Sequence, residues 1–200
     1  MALLALAPAA CRAPTPGMAR GEAVYATCAP CHGVQGAGDE ALAAPAIAGL
    51  PQWYLEEQLR KFQNAQRGGH AFDTTGIRMK SMSWALDLPG DLESVAQYVA
   101  SLPVVSPAPT LNVGDAQAGR DVYVTCAVCH GEDARGNEAF RAPPLVGQND
   151  WYLLSQLQKF KRGWRGGDPA DAWGATMRPN AMMLDDAAMA DVVAYIQSLQ

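Results

Sequence analysis

No run of apolar residues in this chain approaches the roughly 20 that a membrane-spanning helix needs, so no stretch of the sequence reads as a transmembrane span. Basic residues are too few for a nucleic-acid footprint. The 15 Lys and Arg stand against 20 Asp and Glu, a net charge of −5, which argues against nucleic acid as a partner. Cysteine is scarce as well: of five, four lie in two short runs, which leaves Cys11 and gives no sign of a disulfide framework. What remains is a globular composition, 49% hydrophobic and 18% charged, in 200 residues, enough for one or two ordinary domains.

The two runs are Cys28-Ala29-Pro30-Cys31-His32 and Cys126-Ala127-Val128-Cys129-His130, 98 residues apart. Two cysteines three apart on one helical turn can each add a thiol across a vinyl group of one haem, and the adjacent histidine turns its imidazole onto the iron. A disulfide or half of a zinc site is the plainer reading of a lone CxxC. Here the histidine follows the second cysteine in both copies and neither half holds another CxxC, which favours haem. A repeat of this length predicts two small domains. Each is near the lower limit of what one apolar core can stabilise, and a covalently held haem would complete that core.

Residues 1–16 are rich in Ala and Pro, with a short apolar stretch over 2–7. They look like the end of a secretory signal, although a basic start is missing. Cys11 after Ala9-Ala10 stands where a lipid-modified cysteine could, but Pro8 occupies a place where such sites prefer Leu, so an inert or removed cysteine is the simpler reading. From Gly17 to Cys28 the spacing predicts a helix that delivers the first cysteine pair at its end. Trp53, Leu55, Leu59 and Phe62 form one face of a second helix expected to stop at Gly68-Gly69, and Leu92, Val95, Tyr98, Val99 and Leu102 predict a third, ended by Pro103. The stretch from Gly76 to Leu86 shows no clear periodicity. Three prolines between Pro103 and Pro109 mark a semi-extended linker, short enough that the halves should touch or nearly so.

The second half repeats the first at an offset of 98: Tyr25, Gly33, Pro45, Trp53, Tyr54, Gln58, Lys61, Phe62 and Met79, among others, recur as Tyr123, Gly131, Pro143, Trp151, Tyr152, Gln156, Lys159, Phe160 and Met177. The offset falls to 97 in the last helix, so one residue is inserted in the turn from Asp87 to Gly90. The repeat also selects among eight methionines for the iron's second ligand. His32 to Met79 and His130 to Met177 both span 47 residues, whereas Met82 aligns with Asn180, and Met182 and Met183 align with Trp84 and Ala85. A thioether closes the iron to small ligands and raises its potential, which suits electron transfer. His70 aligns with Asp168 and is read as a solvated loop residue.

With these residues in view, the sequence resembles a two-haem class I c-type cytochrome of the cytochrome c4 kind, over about residues 18–200. The two CxxCH runs, the helix starts Trp53-Tyr54-Leu55 and Trp151-Tyr152-Leu153, the stretch 142–148 and the final helices carry the resemblance, and Asn180 departs from it where a second Met is common. It implies an all-α fold of two tandem class I cytochrome c domains, each a small helical lobe around one covalent haem, related by a pseudo-twofold axis. The expected layout is a signal- or tail-like segment at 1–17, domains at 18–102 and 118–200, and a Pro-rich linker at 103–117. The expected ligands are Cys28, Cys31, His32 and Met79 for one haem c and Cys126, Cys129, His130 and Met177 for the other, with the iron-bound histidines backed by carbonyls near Pro45 and Pro143.

The expected function is that of an electron carrier passing single electrons between redox proteins of an exported respiratory chain in the periplasm. Its partners would be a donor and an acceptor, including a membrane oxidase or dehydrogenase, and membrane association would come through such a partner or the N-terminus. Rivals are a cytochrome subunit of a dehydrogenase or terminal oxidase, and a haem enzyme such as a peroxidase with one open iron. Lys159, Lys161, Arg162 and Arg165 gather around Trp164. They read first as an ordinary solvated helix end, and second as a patch that steers an acidic partner.

Overall fold

A computed structural model describes residues 15–200; the expectation about Cys11 lies outside them. The first half contains α1 (Met18–Tyr25), α2 (Ala29–His32), α3 (Gln52–Gln63), α4 (Thr74–Ser83) and α5 (Asp91–Ser101). The second contains α6 (Ala116–His130), a 3₁₀ turn (Glu138–Phe140), α7 (Asp150–Arg162), α8 (Ala172–Met182) and α9 (Asp186–Ser198). Among the described residues the only β features are two isolated bridges, Asp39 with Ala44 and Asn137 with Ala142. The fold is therefore helical and tandem, as the sequence predicts.

In each half the first and last helices cross, α1 on α5 and α6 on α9. The crossing requires glycine, because a Cβ on Gly21 would lie 2.1 Å from the Ser94 carbonyl oxygen and one on Gly119 would lie 1.9 Å from that of Asp191. Apolar residues gather beneath it: Val24, Tyr25, Leu50, Leu55, Val95 and Val99 in one half, and Tyr123, Leu153, Val192, Val193 and Ile196 in the other. Tyr25 packs on Tyr98 and Tyr123 on Tyr195, with ring centroids 5.4 and 5.3 Å apart. Burying such rings is a large share of what holds a small lobe together.

The structure revises three expectations. The helix leading to the first cysteine pair breaks after Tyr25, whereas its counterpart α6 runs unbroken to His130. Pro30, where the second half has Val128, has no N–H to continue the ladder, so it fits only the first turn of a new helix. The second helix stops at Gln63, a turn before Gly68-Gly69, because Ala65 enters the left-handed region at φ 60°; Gly163 does the same at 73° just after α7. Finally, the aperiodic stretch after Gly76 belongs to α4, which buries only Gly76 and Ser83 and so has no apolar stripe to detect.

The linker has no regular secondary structure from Pro103 to Asp115, and α6 begins at Ala116. Buried Asp150 holds it, its carboxylate accepting from the N–H groups of Thr110 (2.8 Å), Leu111 (2.6 Å) and its neighbour Trp151 (2.8 Å). The halves are in contact. Lys61 of the first pairs with Asp171 of the second, and Lys159 of the second with Asp73 of the first, both at 2.7 Å. Such reciprocal crossing is what a twofold relation between the halves requires.

Candidate functional site

Cys28 caps α2, Cys31 lies within it and His32 ends it; Cys126, Cys129 and His130 form the last turns of α6. The imidazole Nδ1 of His32 lies 2.8 Å from the Pro45 carbonyl oxygen, and that of His130 lies 2.9 Å from the Pro143 carbonyl. A carbonyl only accepts, so Nδ1 carries the hydrogen and the lone pair of the neutral ring is on Nε2. Burial lowers the pKa of both histidines, and this outweighs the upward pull of the proline carbonyls. Both rings are thus held neutral, in the tautomer that binds iron through Nε2. The turn after each histidine is tied down in the same way: the Tyr25 hydroxyl donates to the Gly33 carbonyl at 2.7 Å and the Tyr123 hydroxyl to that of Gly131 at 2.8 Å.

The helices enclose a cavity of about 490 Å³ whose wall carries all eight predicted site residues, Cys28, Cys31, His32, Met79, Cys126, Cys129, His130 and Met177. The cavity runs through both halves, so each half contributes its own pair of cysteines, histidine and methionine to the wall. Met79 and Met177 are half-buried on α4 and α8. Met82 also reaches the wall but is exposed, and Met182 and Met183 are exposed and do not line it. Burial and the neighbouring Cys31 push the Cys28 thiol up to about 11, and burial raises that of Cys126. Cys28 and Cys126 are thus thiols rather than thiolates at neutral pH.

The fit to haem rests on the wall itself. It is largely apolar, it presents the two thiols and Nε2 of each half, and it contains the indole Nε1 of Trp151, buried with no protein acceptor. Such an N–H suits the propionate carboxylate of a bound haem, since an unmet buried donor costs about 1–3 kcal/mol. The helices that bring in the methionines start at buried aspartates: Asp73 accepts from Gly76 N at 3.0 Å and Asp171 from Gly174 N at 2.9 Å, three residues before Met79 and Met177.

A cytochrome c family model matches residues 18–103 and 116–200. The chain belongs to the cytochrome c family. Cytochrome c4 of Azotobacter vinelandii is 30% identical over 195 residues, covering 90% of this chain and 88% of that one. A thiosulfate dehydrogenase electron acceptor of Thiomonas intermedia (strain K12) is 34% identical over 155 residues, covering 72% and 67%. The crystal structure of reduced recombinant cytochrome c4 from Pseudomonas stutzeri superposes with a TM-score of 0.72 at 28% identity, over 93% of this chain and 100% of that one. The cytochrome is therefore a two-haem, cytochrome c4-like electron carrier with a covalent haem c in each of its two tandem domains.

The cationic patch around Trp164 does not exist as a free surface. Lys159 pairs with Asp73 and donates to Thr75 across the interface, Lys161 donates to the Leu184 carbonyl, and Arg165 reaches Tyr54 and Gln58 of the other half. Only Arg162 stays exposed, over the Trp164 ring at 5.0 Å. Exposed His70 is a loop residue, as expected, and it stacks on Trp164 at 5.4 Å. Sequence reasoning missed the helix-capping aspartates, and it placed Arg165 in a surface patch rather than with Arg67 between the halves. Their signal was present, since both pairs recur at the same offset of 98.

Proposed function

We propose that Cys28 and Cys31 hold the first haem by thioether bonds, with His32 and Met79 as its axial ligands, and that Cys126, Cys129, His130 and Met177 do the same for the second. The observation that carries this reading is the convergence of these eight side chains on one cavity, with both imidazoles oriented by proline carbonyls. Bound haem supplies reversible one-electron chemistry at iron. The chain fixes each histidine's tautomer, carries a methionine thioether from each half on the same cavity wall, and lines that wall largely with apolar side chains. It makes no bonds in a substrate, and it passes single electrons between redox proteins of a respiratory chain in the periplasm, an assignment supported by the leader-like residues 2–10.

Met79→Ala and Met177→Ala should each remove about half of the thioether-to-ferric-iron absorption band and lower one haem's potential, while Met82→Ala leaves both intact. Loss of half the band in Met82→Ala would overturn the first assignment. A second reading, service as the cytochrome subunit of a dehydrogenase or oxidase, is favoured by the likeness to a thiosulfate dehydrogenase electron acceptor; purification of the native protein with whatever remains bound tests it. An enzyme with one open iron would bind carbon monoxide rapidly at that haem, whereas two thioether-closed irons react slowly.

A further inference from the structure

On the wall of the cavity that carries both cysteine clusters lies a ring of polar side chains from both halves. Arg67 donates to Gln58 Oε1 (3.0 Å) in its own half and to Gln156 Oε1 (3.2 Å) and the Tyr152 hydroxyl (3.3 Å) in the other. Arg165 mirrors it, donating to Gln156 Oε1 (3.0 Å), Gln58 Oε1 (3.2 Å) and the Tyr54 hydroxyl (3.2 Å). Each guanidinium also covers a phenyl ring of its own half, Arg67 over Phe62 at 4.4 Å and Arg165 over Phe160 at 4.6 Å.

Two like charges therefore share the same two amide oxygens, and each oxygen has both lone pairs engaged. Among the described residues neither arginine has a carboxylate partner. The nearby carboxylates are engaged elsewhere, Glu57 by Lys61 and Arg141, Asp171 by Lys61 and Asp73 by Lys159. Burial alone would raise the Tyr152 phenol, yet Arg67, Arg165 and Lys159 together hold it below its ordinary value. Around this ring Lys61, Lys159, Arg141, Arg67 and Arg165 face the carboxylates of Glu57, Asp73 and Asp171, so positive charge is in excess. Arg67 is buried and Arg165 half-buried, and charge withdrawn from water without a carboxylate partner is costly unless negative charge enters beside it.

We propose that Arg67 and Arg165 act as one shared positive element that sets the reduction potentials of both haems together, rather than each tuning the haem of its own half. The proposal rests on a haem in each half. An added electron on either iron is stabilised by the same pair of charges, because hydrogen bonds lock each guanidinium to both halves. A neighbouring buried charge, in an effective dielectric of about 20, changes such an equilibrium on the order of tenfold.

The test is Gln156→Glu in the two-haem protein, a change that keeps the shape and the acceptor oxygen but places a carboxylate between the arginines. Spectroelectrochemical titration should show both midpoint potentials lowered, each reduction constant by on the order of tenfold, about 59 mV for a one-electron couple. Gln58→Glu, from the other half, should do the same and serves if Gln156→Glu does not assemble. Charge-preserving Arg67→Lys should leave both midpoints near those of the parent. Movement of one midpoint alone, or of neither, in a folded two-haem variant would overturn the shared element. A parent that contains other than two covalent haems would instead overturn the haem placement on which it rests.

Discussion

Asp171 links stability to the ligation proposed for Met177, because one side chain does two jobs at the start of the helix that carries it. Its carboxylate accepts from Gly174 N at 2.9 Å and pairs with Lys61 of the other half at 2.7 Å, with the Asp171 side chain 1% and the Lys61 side chain 12% exposed. Asp171→Ala removes both. Loss of the cap costs about 1 kcal/mol. Stripping a buried cation of its partner costs roughly 3–5 kcal/mol, but Lys61 keeps Glu57 at 2.5 Å, so about 2 kcal/mol is the fitting share. The total, about 3 kcal/mol, corresponds to a fall of roughly 6–12 °C in Tm for a protein of this size. Asp171→Asn separates the two jobs, since asparagine caps as well as aspartate but cannot pair with lysine. It should lose only about 2 kcal/mol. Denaturant unfolding measures the first quantity and the thioether-to-iron band on heating the second. With the cap gone, the frayed start of α8 becomes about fivefold more populated, and the band of the second haem should fade at lower temperature in Asp171→Ala than in Asp171→Asn. Equal behaviour of the two variants would refute the capping argument; stability within 0.5 kcal/mol of the parent in both, the scatter of ordinary surface changes, would refute the whole of it.

Gly119→Ala forces apart α6 and α9, where a Cβ would sit 1.9 Å from the Asp191 oxygen, and should cost about 3 kcal/mol, at the upper end for overpacking, read by thermal unfolding. Asp150→Ala leaves the N–H groups of Thr110, Leu111 and Trp151 without their acceptor, at about 1 kcal/mol or more each; limited proteolysis within 103–115 should accelerate in step. Burial pushes the Tyr25 phenol up to about 12 from about 10 when unfolded. The folded state therefore holds this proton more tightly, and the stability it contributes is complete below about pH 10 and lost as pH rises toward 12; Tyr25→Phe should flatten that part of the pH–stability curve.

The reach of the sequence differs from element to element, for physical reasons. α3 and α5 were legible because Leu55, Phe62, Val95 and Val99 bury a stripe against protein, and periodicity detects that stripe. α4 and α8 were not, because the side chains they turn inward include Met79 and Met177 on the cavity wall, and each buries only two small residues against protein. Their legible signal was the cap: Asp73 and Asp171 stand before Thr74 and Ala172 as ordinary N-cap residues. The cysteine pairs and histidines were plain because the haem attachment proposed for them demands a fixed spacing, and that spacing occurs twice. Their orientation was not, since it depends on carbonyls 13 residues downstream.

Where the halves meet, the repeat both helps and misleads. A duplicated chain aligned on itself shows that Lys61 matches Lys159 and Arg67 matches Arg165, but it treats each half as self-contained. Around a twofold relation the pairs cross: Lys61 seeks the aspartate that caps the other half's methionine helix, and Arg67 and Arg165 each reach across to a glutamine of the opposite half. Of the cations that looked like a surface patch at the end of α7, Lys159 and Arg165 are in fact spent between the halves. The consequence for an electron carrier is that its own interface is not the salt-sensitive one. Charges paired out of water are little screened, so raising ionic strength from low to physiological should leave transfer between the two haems unchanged while altering only encounters with partner proteins.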